Sequence, residues 1–297
     1  MQAFDSLSRD IQQYIYDKGW PSLTSIQNAA IKQVANTDHN LILSAPTASG
    51  KTEAAFIPAL NSVEDWETGL KVLYISPLKA LINDQFQRIS ELSEYLDIPI
   101  TRWHGEVSQA QKRKVVNQPK GVLLITPESI EGMLVNRPGE AEHLFKGVEW
   151  IIIDELHSFL GTERGIHLQS LLQRISRFMQ APRFIAMSAT LNKKDFGYAK
   201  AFFGSPRHTD ILVDRVKNDL LITIDYTSGE SGPFVARESL EAIYQYSKTE
   251  TMLIFPNSRN RVEEITHKLD KMAKKENAPI RYFAHHSSVD KLLREEV

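Results

Sequence analysis

Short runs of apolar and β-branched residues alternate with longer amphipathic stretches between residues 5 and 203. Such alternation is typical of repeated strand–helix units around a parallel sheet. The stretches between the runs have the apolar spacing of helices. The pattern therefore predicts an α/β domain with a parallel sheet flanked by helices. The runs that we interpret as buried strands are Leu41–Leu43, Val72–Ile75, Val122–Ile125, Trp150–Ile153 and Phe184–Met187.

Composition limits the class of protein. Of the 297 residues, 42% are hydrophobic and 24% charged, an ordinary globular balance, and the length suggests two domains. The absence of cysteine excludes disulfides, thiolate metal sites and cysteine nucleophiles. The 35 Lys and Arg are balanced by 37 Asp and Glu, so nucleic-acid contact needs a local patch or backbone donors. Met1–Asp10 is not a signal peptide, and no apolar run approaches the roughly 20 residues of a membrane span, so we expect no membrane contact and a cytoplasmic location.

The character of the sequence changes after Gly204. We predict a first domain over 1–207, a connector over 208–235 and the beginning of a second strand–helix domain over 236–297. Two predicted strands cannot form a stable parallel sheet by themselves, so this second domain is expected to be incomplete. The elements predicted after residue 208 are strands at Ile211–Val213, Leu220–Tyr226, Met252–Phe255 and Tyr282–Ala284, and helices at Ala236–Ser247, Arg259–Lys274 and from Val289.

A phosphate-binding loop is predicted directly after the strand Leu41–Leu43. A helical pattern follows this segment, which gives the strand–loop–helix context that a P-loop requires. Small residues let backbone N–H groups curve around phosphates at the positive end of the helix. Lys51 would reach the β- and γ-phosphates of ATP, and the Thr52 hydroxyl would hold Mg²⁺. The alternative is a strand-to-helix turn without a ligand. The segment is Ala45, Pro46, Thr47, Ala48, Ser49, Gly50, Lys51 and Thr52.

Two carboxylates follow the strand Trp150–Ile153. Asp154 at this strand end is suited to holding Mg²⁺, directly or through water, and Glu155 to polarising an attacking water. Taken alone, an Asp-Glu pair at a helix start can simply complement the helix dipole. The P-loop upstream favours the catalytic interpretation.

These segments resemble a superfamily 2 helicase of the DEAD/DEAH type and, within it, the Lhr-like and Ski-type group. The resemblance implies a RecA-like P-loop NTPase domain followed by an incomplete second RecA-like domain. The matching motifs are the Q motif at Thr24–Gln27, motif I at Ala45–Thr52, motif II at Asp154–His157, motif III at Ser188–Thr190 and motif IV at Leu253–Arg259. The stretch Gly161–Gly165 favours the Lhr-like group, and His285–Ser288 resembles a loop of the second domain.

The resemblance also implies roles for individual residues. Gln27 would contact adenine, and the residues of motif I would bind the phosphates. Lys51, Asp154 and Glu155 would be catalytic, and Thr52 and Asp154 would hold Mg²⁺. Hydrolysis would be coupled to the nucleic acid by His157, Ser188 and Thr190. The residues that would contact nucleic acid are Pro77, Lys79, His104, Gly105, Thr126, Pro127, Arg164, Asn257 and Ser258.

The family implies an ATP-dependent nucleic-acid helicase or translocase acting on single-stranded or partly duplex nucleic acid, with DNA slightly favoured over RNA. Motifs V and VI are expected beyond Val297, and the arginine of motif VI is worth about 10³–10⁵ in rate. We therefore expect this chain to bind ATP and to hydrolyse it weakly or not at all by itself. The alternative is an ATP- and strand-binding module without motor activity, whose second domain a partner polypeptide completes. A small-molecule kinase is disfavoured, because no arginine-rich insertion is apparent.

Overall fold

The computed structural model describes residues 2–214, 222–224 and 235–285. The chain divides into two compact units, Met1–Asn218 and Asp219–Val297. The described part of the first unit is built on one seven-stranded sheet, and the described part of the second contributes two α-helices.

The strands of the first unit are all parallel. Their order across the sheet is β3-β4-β2-β5-β6-β1-β7, so β1 lies between β6 and β7, and β3 and β7 form the edges. In chain order the strands are β1 (Asn40–Ser44), β2 (Gly69–Ile75), β3 (Ile100–Trp103), β4 (Lys120–Ile125), β5 (Trp150–Ile153), β6 (Arg183–Ser188) and β7 (Thr209–Val213).

Helices cover both faces of this sheet. No helix of the described residues combines the length and apolar character needed to cross a membrane. The helices of the first unit are α1 (Arg9–Asp17), α2 (Ser25–Asn36), α3 (Lys51–Ser62), α4 (Lys79–Tyr95), α5 (Gln109–Asn117), α6 (Pro127–Asn136), α7 (Pro138–Phe145), α8 (Glu163–Ser176) and α9 (Phe196–Ala201).

The core has two layers because neighbouring residues of a strand point to opposite faces of the sheet. In β1, Leu41 and Leu43 pack with residues of α1–α4, whereas Ile42 packs with residues of α6–α9. Strands buried on both faces are continuously apolar, which is why their sequence runs were recognisable. All five predicted strands are present, and β5 has the predicted bounds.

Three elements of the first unit differ from the prediction. The edge strand β3 was not among the five predicted strands, because its half-buried Thr101 and Arg102 interrupt the apolar pattern. Helix α7 begins with Pro138-Gly139, a pair more typical of a loop. Strand β7 pairs with β1, with Ile211 opposite Ile42, so the sheet extends beyond residue 207, where we predicted the connector to begin.

The described part of the second unit contains α10 (Arg237–Ser247) and α11 (Arg259–Lys275), close to the predicted helices. They pack through a small apolar cluster that includes Tyr244 and Leu269. The strands predicted at 252–255 and 282–284 are described without strand pairing, and Leu253 and Phe255 are 84% and 86% exposed. A strand needs a neighbour to satisfy its backbone groups, and the described residues offer none here. The predictions for 220–226, 286–288 and 289 onward lie mostly or wholly outside the described residues.

Candidate nucleotide and nucleic-acid site

The predicted site residues of the first unit follow the carboxyl ends of its strands. This is the edge of an open α/β sheet where ligands bind. We call the loops directly after β1, β5 and β6 the P-loop half of this edge. The outer half comprises the segments after β2, β3 and β4 together with Arg164 of α8, which contacts two of them. Asn257 and Ser258 belong to the second unit, where both are exposed and Ser258 caps α11 by accepting a hydrogen bond from the Arg261 N–H.

The P-loop joins β1 to α3 through residues with left-handed backbone. Ala48 has φ of +60° and Gly50 has φ of +80°. At Gly50 a Cβ atom would also lie 2.5 Å from the Gln27 side-chain nitrogen, so a larger residue would displace either the loop or Gln27. The tight turn of the loop thus depends on this glycine.

Lys51, the first residue of α3, lies within the P-loop. Its ammonium group donates hydrogen bonds to the carbonyl oxygens of Ala45 and Pro46, each at 2.6 Å. Burial lowers the pKa of Lys51 below its ordinary value, and the negative charges of Glu155 and Asp154 oppose that shift. The predicted lysine and both predicted carboxylates are therefore close enough to influence one another.

The next residue of α3 has a partner that the sequence did not indicate. The buried Thr52 hydroxyl donates to Gln85 Oε1 at 3.1 Å, and Gln85 is itself buried on α4. The sequence could have indicated a buried Gln85, because its spacing places it on the same face of the helix as Ile82 and Ile89, which are buried. Gln85 therefore orients the hydroxyl that we predicted to hold Mg²⁺.

The Q motif contacts the P-loop directly. Gln27 is 4% exposed; its Oε1 accepts from the Thr24 backbone N–H at 2.9 Å and its Nε2 donates to the Gly50 carbonyl at 3.4 Å. Thr24 Oγ1 donates to the Ser49 carbonyl at 3.1 Å. Thr24 and Gln27 also form a capping box at the start of α2. The Q motif thus supports the loop, and the contact of Gln27 with adenine stays a prediction.

Asp154 is a buried carboxylate at the end of β5, with 6% exposure. It accepts a hydrogen bond from the Glu155 N–H at 2.9 Å and another from the Tyr74 hydroxyl. Burial raises the pKa of Asp154 above its ordinary value, against the effects of Tyr74 and Lys51. Burial, with the charge of Asp154, also raises the pKa of Tyr74 well above its usual range. Sequence reasoning missed Tyr74 because it lies inside an apolar run.

Glu155 begins a chain of polar contacts between the ends of β5 and β6. Its φ is +48°, a left-handed conformation that is uncommon for residues other than glycine. Its carboxylate lies 3.2 Å from His157 Nδ1, which lies 3.4 Å from Ser188 Oγ. Ser188 Oγ in turn donates to the Thr190 carbonyl at 3.0 Å. Motifs II and III are thus joined through side chains.

In the outer half, Arg164 joins two loops. Its guanidinium donates to Glu128 Oε1 at 2.9 and 2.6 Å and to the Pro77 carbonyl at 2.5 Å. These contacts connect the segment after β2 to the start of α6, where Thr126 is the N-cap. Arg164 is 36% exposed, so it holds the two loops together while its side chain still reaches the surface.

The other predicted contacts of the outer half differ in exposure. The side chain of Lys79 is 52% exposed and lies 3.6 Å from Glu106, and Gly105 beside it is exposed. His104 is only 4% exposed, its ring lies 3.3 Å from Asn83 Oδ1, and burial lowers its pKa. The predicted contact of His104 with nucleic acid stays a prediction, and in this structure the ring is packed inside the domain. The other buried members of the predicted set are Pro77, Thr126 and Pro127.

Residues 24–196 match the family of DEAD/DEAH box helicases. The chain belongs to this family. It is 30% identical to the ATP-dependent helicase Lhr-Core protein 2 of Thermococcus barophilus over 100% of this chain and 37% of that protein. It is 29% identical to Lhr-Core of Saccharolobus solfataricus, over 94% and 34% of the two chains. The chain thus spans about a third of the length of these curated relatives.

Solved helicase structures confirm the predicted RecA-like α/β fold. Helicase Lhr of Mycobacterium smegmatis, bound to ssDNA and AMP-PNP, is similar with a TM-score of 0.83 and 25% identity, over 100% of this chain and 40% of that one. The DEAD-box helicase Mss116, bound to ssRNA and UDP-BeF, has a TM-score of 0.77 over 98% of this chain and 61% of its own. At 18% identity, this second likeness is one of fold alone.

Proposed function

We propose that this chain is the N-terminal motor portion of an ATP-dependent nucleic-acid helicase or translocase. ATP would bind in the P-loop half, and a nucleic-acid strand would contact the outer half. The observation that carries this proposal is the grouping of Lys51, Asp154 and Glu155 at one edge of the sheet, close enough to alter the pKa of Lys51. Kinship with the Lhr-Core helicases supports it.

Hydrolysis of ATP requires positioning and charge stabilisation more than covalent chemistry from the protein. Lys51 would exchange its contacts with the Ala45 and Pro46 carbonyls for phosphate oxygens. Glu155 would polarise the attacking water, and its contact with His157 would fix the direction of its carboxylate. The chain of contacts from Glu155 to Thr190 would relay the change at the phosphates to motif III.

The residues at the phosphate end fit a magnesium ion. Asp154 is buried, and this burial raises the pKa of its carboxyl group by disfavouring the charged form, which a bound cation would offset. Thr52 supplies a buried hydroxyl, so a hydroxyl and a carboxylate form an oxygen donor set that Mg²⁺ accepts together with phosphates. Mg²⁺ held by Thr52 and Asp154 would neutralise the negative charge that develops at the phosphates during hydrolysis.

Nucleic acid would be held mainly by its sugar-phosphate backbone, which predicts little base preference and clear salt dependence. Lys79, Gly105 and Arg164 are the candidates of the first unit with exposed surface, and Asn257 and Ser258 those of the second. We favour DNA over RNA because the 25% identical structure is of a helicase bound to ssDNA. We also propose a cytoplasmic location, where ATP and nucleic acid occur together.

We assign the second unit as the beginning of a second RecA-like domain. Its segments at 251–256 and 281–285 expose large apolar side chains, including Leu253, Phe255 and Phe283. Exposed apolar groups of this kind mark surfaces that another element covers. Further strands of the same polypeptide, or of a partner polypeptide in the alternative proposal, would cover them.

The testing experiment is ATP turnover by this chain with and without single-stranded DNA and RNA of one sequence, with Lys51→Ala as the blank. Strand-stimulated turnover above the blank supports a motor and identifies the preferred nucleic acid. Nucleotide binding that Lys51→Ala removes, without any turnover, would mean that the chain is half a motor whose remaining part must be supplied. Failure to bind either ATP or a strand contradicts both proposals.

A further inference from the structure

A cluster of two histidines and an aspartate lies at the amino ends of β1 and β7, opposite the edge that carries the P-loop. His39 directly precedes β1, and His208 directly precedes β7. The two strands are parallel with Asn40 opposite Thr209, so their register brings the two histidines side by side. Their rings are 4.8 Å apart between centroids. Asp210, the second residue of β7, contacts both histidines.

The donor atoms of this cluster converge on a single carboxylate. His39 Nδ1 lies 2.6 Å from Asp210 Oδ2, and His208 Nε2 lies 3.2 Å from Asp210 Oδ1. One potential ligand atom from each residue lies within 4.8 Å of the others. Two imidazole nitrogens and one carboxylate oxygen are the donor set that Zn²⁺ and related ions use, with a fourth position left for water.

From this geometry we propose that His39, His208 and Asp210 bind a divalent transition-metal ion, of which Zn²⁺ is the representative. The site is accessible from solvent, because the side chains of His39, Asp210 and His208 are 33%, 27% and 57% exposed. The ion would replace the direct contacts between histidine and carboxylate by bonds to itself. It would fasten the edge strand β7 to the start of β1.

The residues around the cluster support ligands in the required positions. Gln33 Nε2 on α2 donates to Asp210 Oδ2 at 2.6 Å, as outer partners of metal-binding carboxylates do. The backbone N–H of Asn40 donates to the His208 carbonyl at 2.8 Å, which fixes the backbone that carries that ring.

A second histidine–carboxylate pair in the first unit lacks these features and provides a matched control. His167 Nε2 lies 3.0 Å from Glu131 Oε2, much like the contact of His208 with Asp210. The third group at Glu131 is the guanidinium of Arg174, 2.8 Å away, which carries a positive charge and cannot bind a cation. His167→Ala therefore removes an imidazole from a carboxylate without touching the proposed site.

The test is calorimetric titration of the full chain with Zn²⁺, without a histidine tag, after removal of metal and without nucleotide. Co²⁺ in a parallel titration reports imidazole coordination through its visible absorption. We expect one site whose affinity falls at least about tenfold in His208→Ala and in Asp210→Asn. Gln33→Ala, an outer partner, should weaken it by about tenfold, and His167→Ala should leave it unchanged.

A further variant separates this site from the P-loop half, where Glu155 and His157 could also attract the ion. Binding that persists in His157→Ala and is lost in His208→Ala supports the proposal. Binding lost in His157→Ala but kept in His208→Ala overturns it, as does the absence of binding to the parent. Loss of fold is checked by melting each variant: Zn²⁺ should raise the melting temperature of the parent and of His167→Ala but not that of His208→Ala.

Discussion

The P-loop half and the outer half lie on one edge of one sheet, yet their charges are arranged differently. In the P-loop half, the buried Asp154 and the partly buried Lys51 each alter the pKa of the other. In the outer half, Lys79 and Arg164 are 52% and 36% exposed and face acidic side chains that are also largely in solvent. One half thus concentrates charge away from water, and the other keeps it at the surface.

This difference in exposure determines how much a single side chain contributes to ligand binding or turnover. Charges interact strongly where water is excluded, whereas exposed ion pairs contribute little. Changes in the P-loop half should therefore alter ligand binding or turnover by orders of magnitude, and changes in the outer half by small factors. A substitution in one half should also leave the ligand of the other half nearly unaffected.

The largest effect is expected from Lys51→Ala. Truncating one partner of a desolvated charge contact costs about 2–5 kcal/mol, so nucleotide affinity should fall at least about thirtyfold. Titration with a fluorescent ATP analogue measures this loss, and binding of single-stranded DNA at fixed salt should stay as in the parent. Lys120→Ala, at the amino end of β4, is the control. A loss below tenfold would contradict the assignment of Lys51 to the phosphates.

Glu155→Gln should separate binding from chemistry. Glutamine has nearly the same shape and keeps the backbone conformation, so nucleotide affinity should stay within about threefold of the parent, but it cannot accept a proton. Any turnover of the parent should fall at least about a hundredfold, within the usual range for loss of a general base. Phosphate release is the measurement, and Glu163→Gln, at the exposed first turn of α8, is the control. Parent-like hydrolysis would exclude Glu155 as the base.

Gln27→Ala tests whether Gln27 contacts adenine or only supports the P-loop. If the amide contacts adenine, the affinity for ATP should fall about tenfold and more than that for inorganic triphosphate. Thr24→Ala is the matched control, because it removes the other half of the same helix cap, which costs about 0.5–2 kcal/mol of protein stability. This variant should weaken the binding of ATP and of triphosphate to the same extent. Competition titrations give the two affinities. An equal loss of both ligands in Gln27→Ala would assign Gln27 to loop support alone.

The smallest effect is expected from Lys79→Ala in the outer half. Loss of one exposed phosphate contact should lower strand affinity about threefold and reduce the slope of log affinity against log salt by about one. Fluorescence anisotropy with labelled DNA at several salt concentrations measures both quantities, with Lys120→Ala as the control. A loss of a hundredfold, or a change in ATP affinity, would mean that the two halves are not separable as proposed.

The P-loop half was largely predictable from the sequence because its groups are consecutive in the chain or directly follow apolar strands. Lys51, Thr52, Asp154 and Glu155 all lie where the expected strand ends place them. Their supporting partners were not predictable. Tyr74 and Gln85 are far from these motifs in sequence, and only the order of strands, which one sequence does not reveal, brings them alongside.

The outer half and the sheet edges were less predictable. The edge strand β3 is only half buried and lacks a continuous apolar run, whereas the strand of β7 was predicted at Ile211–Val213 but was assigned to the connector. The motif His104-Gly105 predicts contact with nucleic acid but did not reveal that the His104 ring is buried beside Asn83 while Gly105 is exposed. Exposure of a side chain after a strand depends on how the following loop packs, which spacing along the sequence does not determine.

The pairing of β7 with β1 has a mechanical consequence. After β7 the backbone N–H of Asp214 donates to the carbonyl of Ser44 at 2.8 Å, and Ser44 is the last residue before the P-loop. Among the described residues, this bond is the last backbone link between the carboxyl end of β7 and β1, and it lies one residue from Ala45. A tensile load on the carboxyl end of β7 is therefore transmitted directly to the start of the loop that is proposed to hold the phosphates.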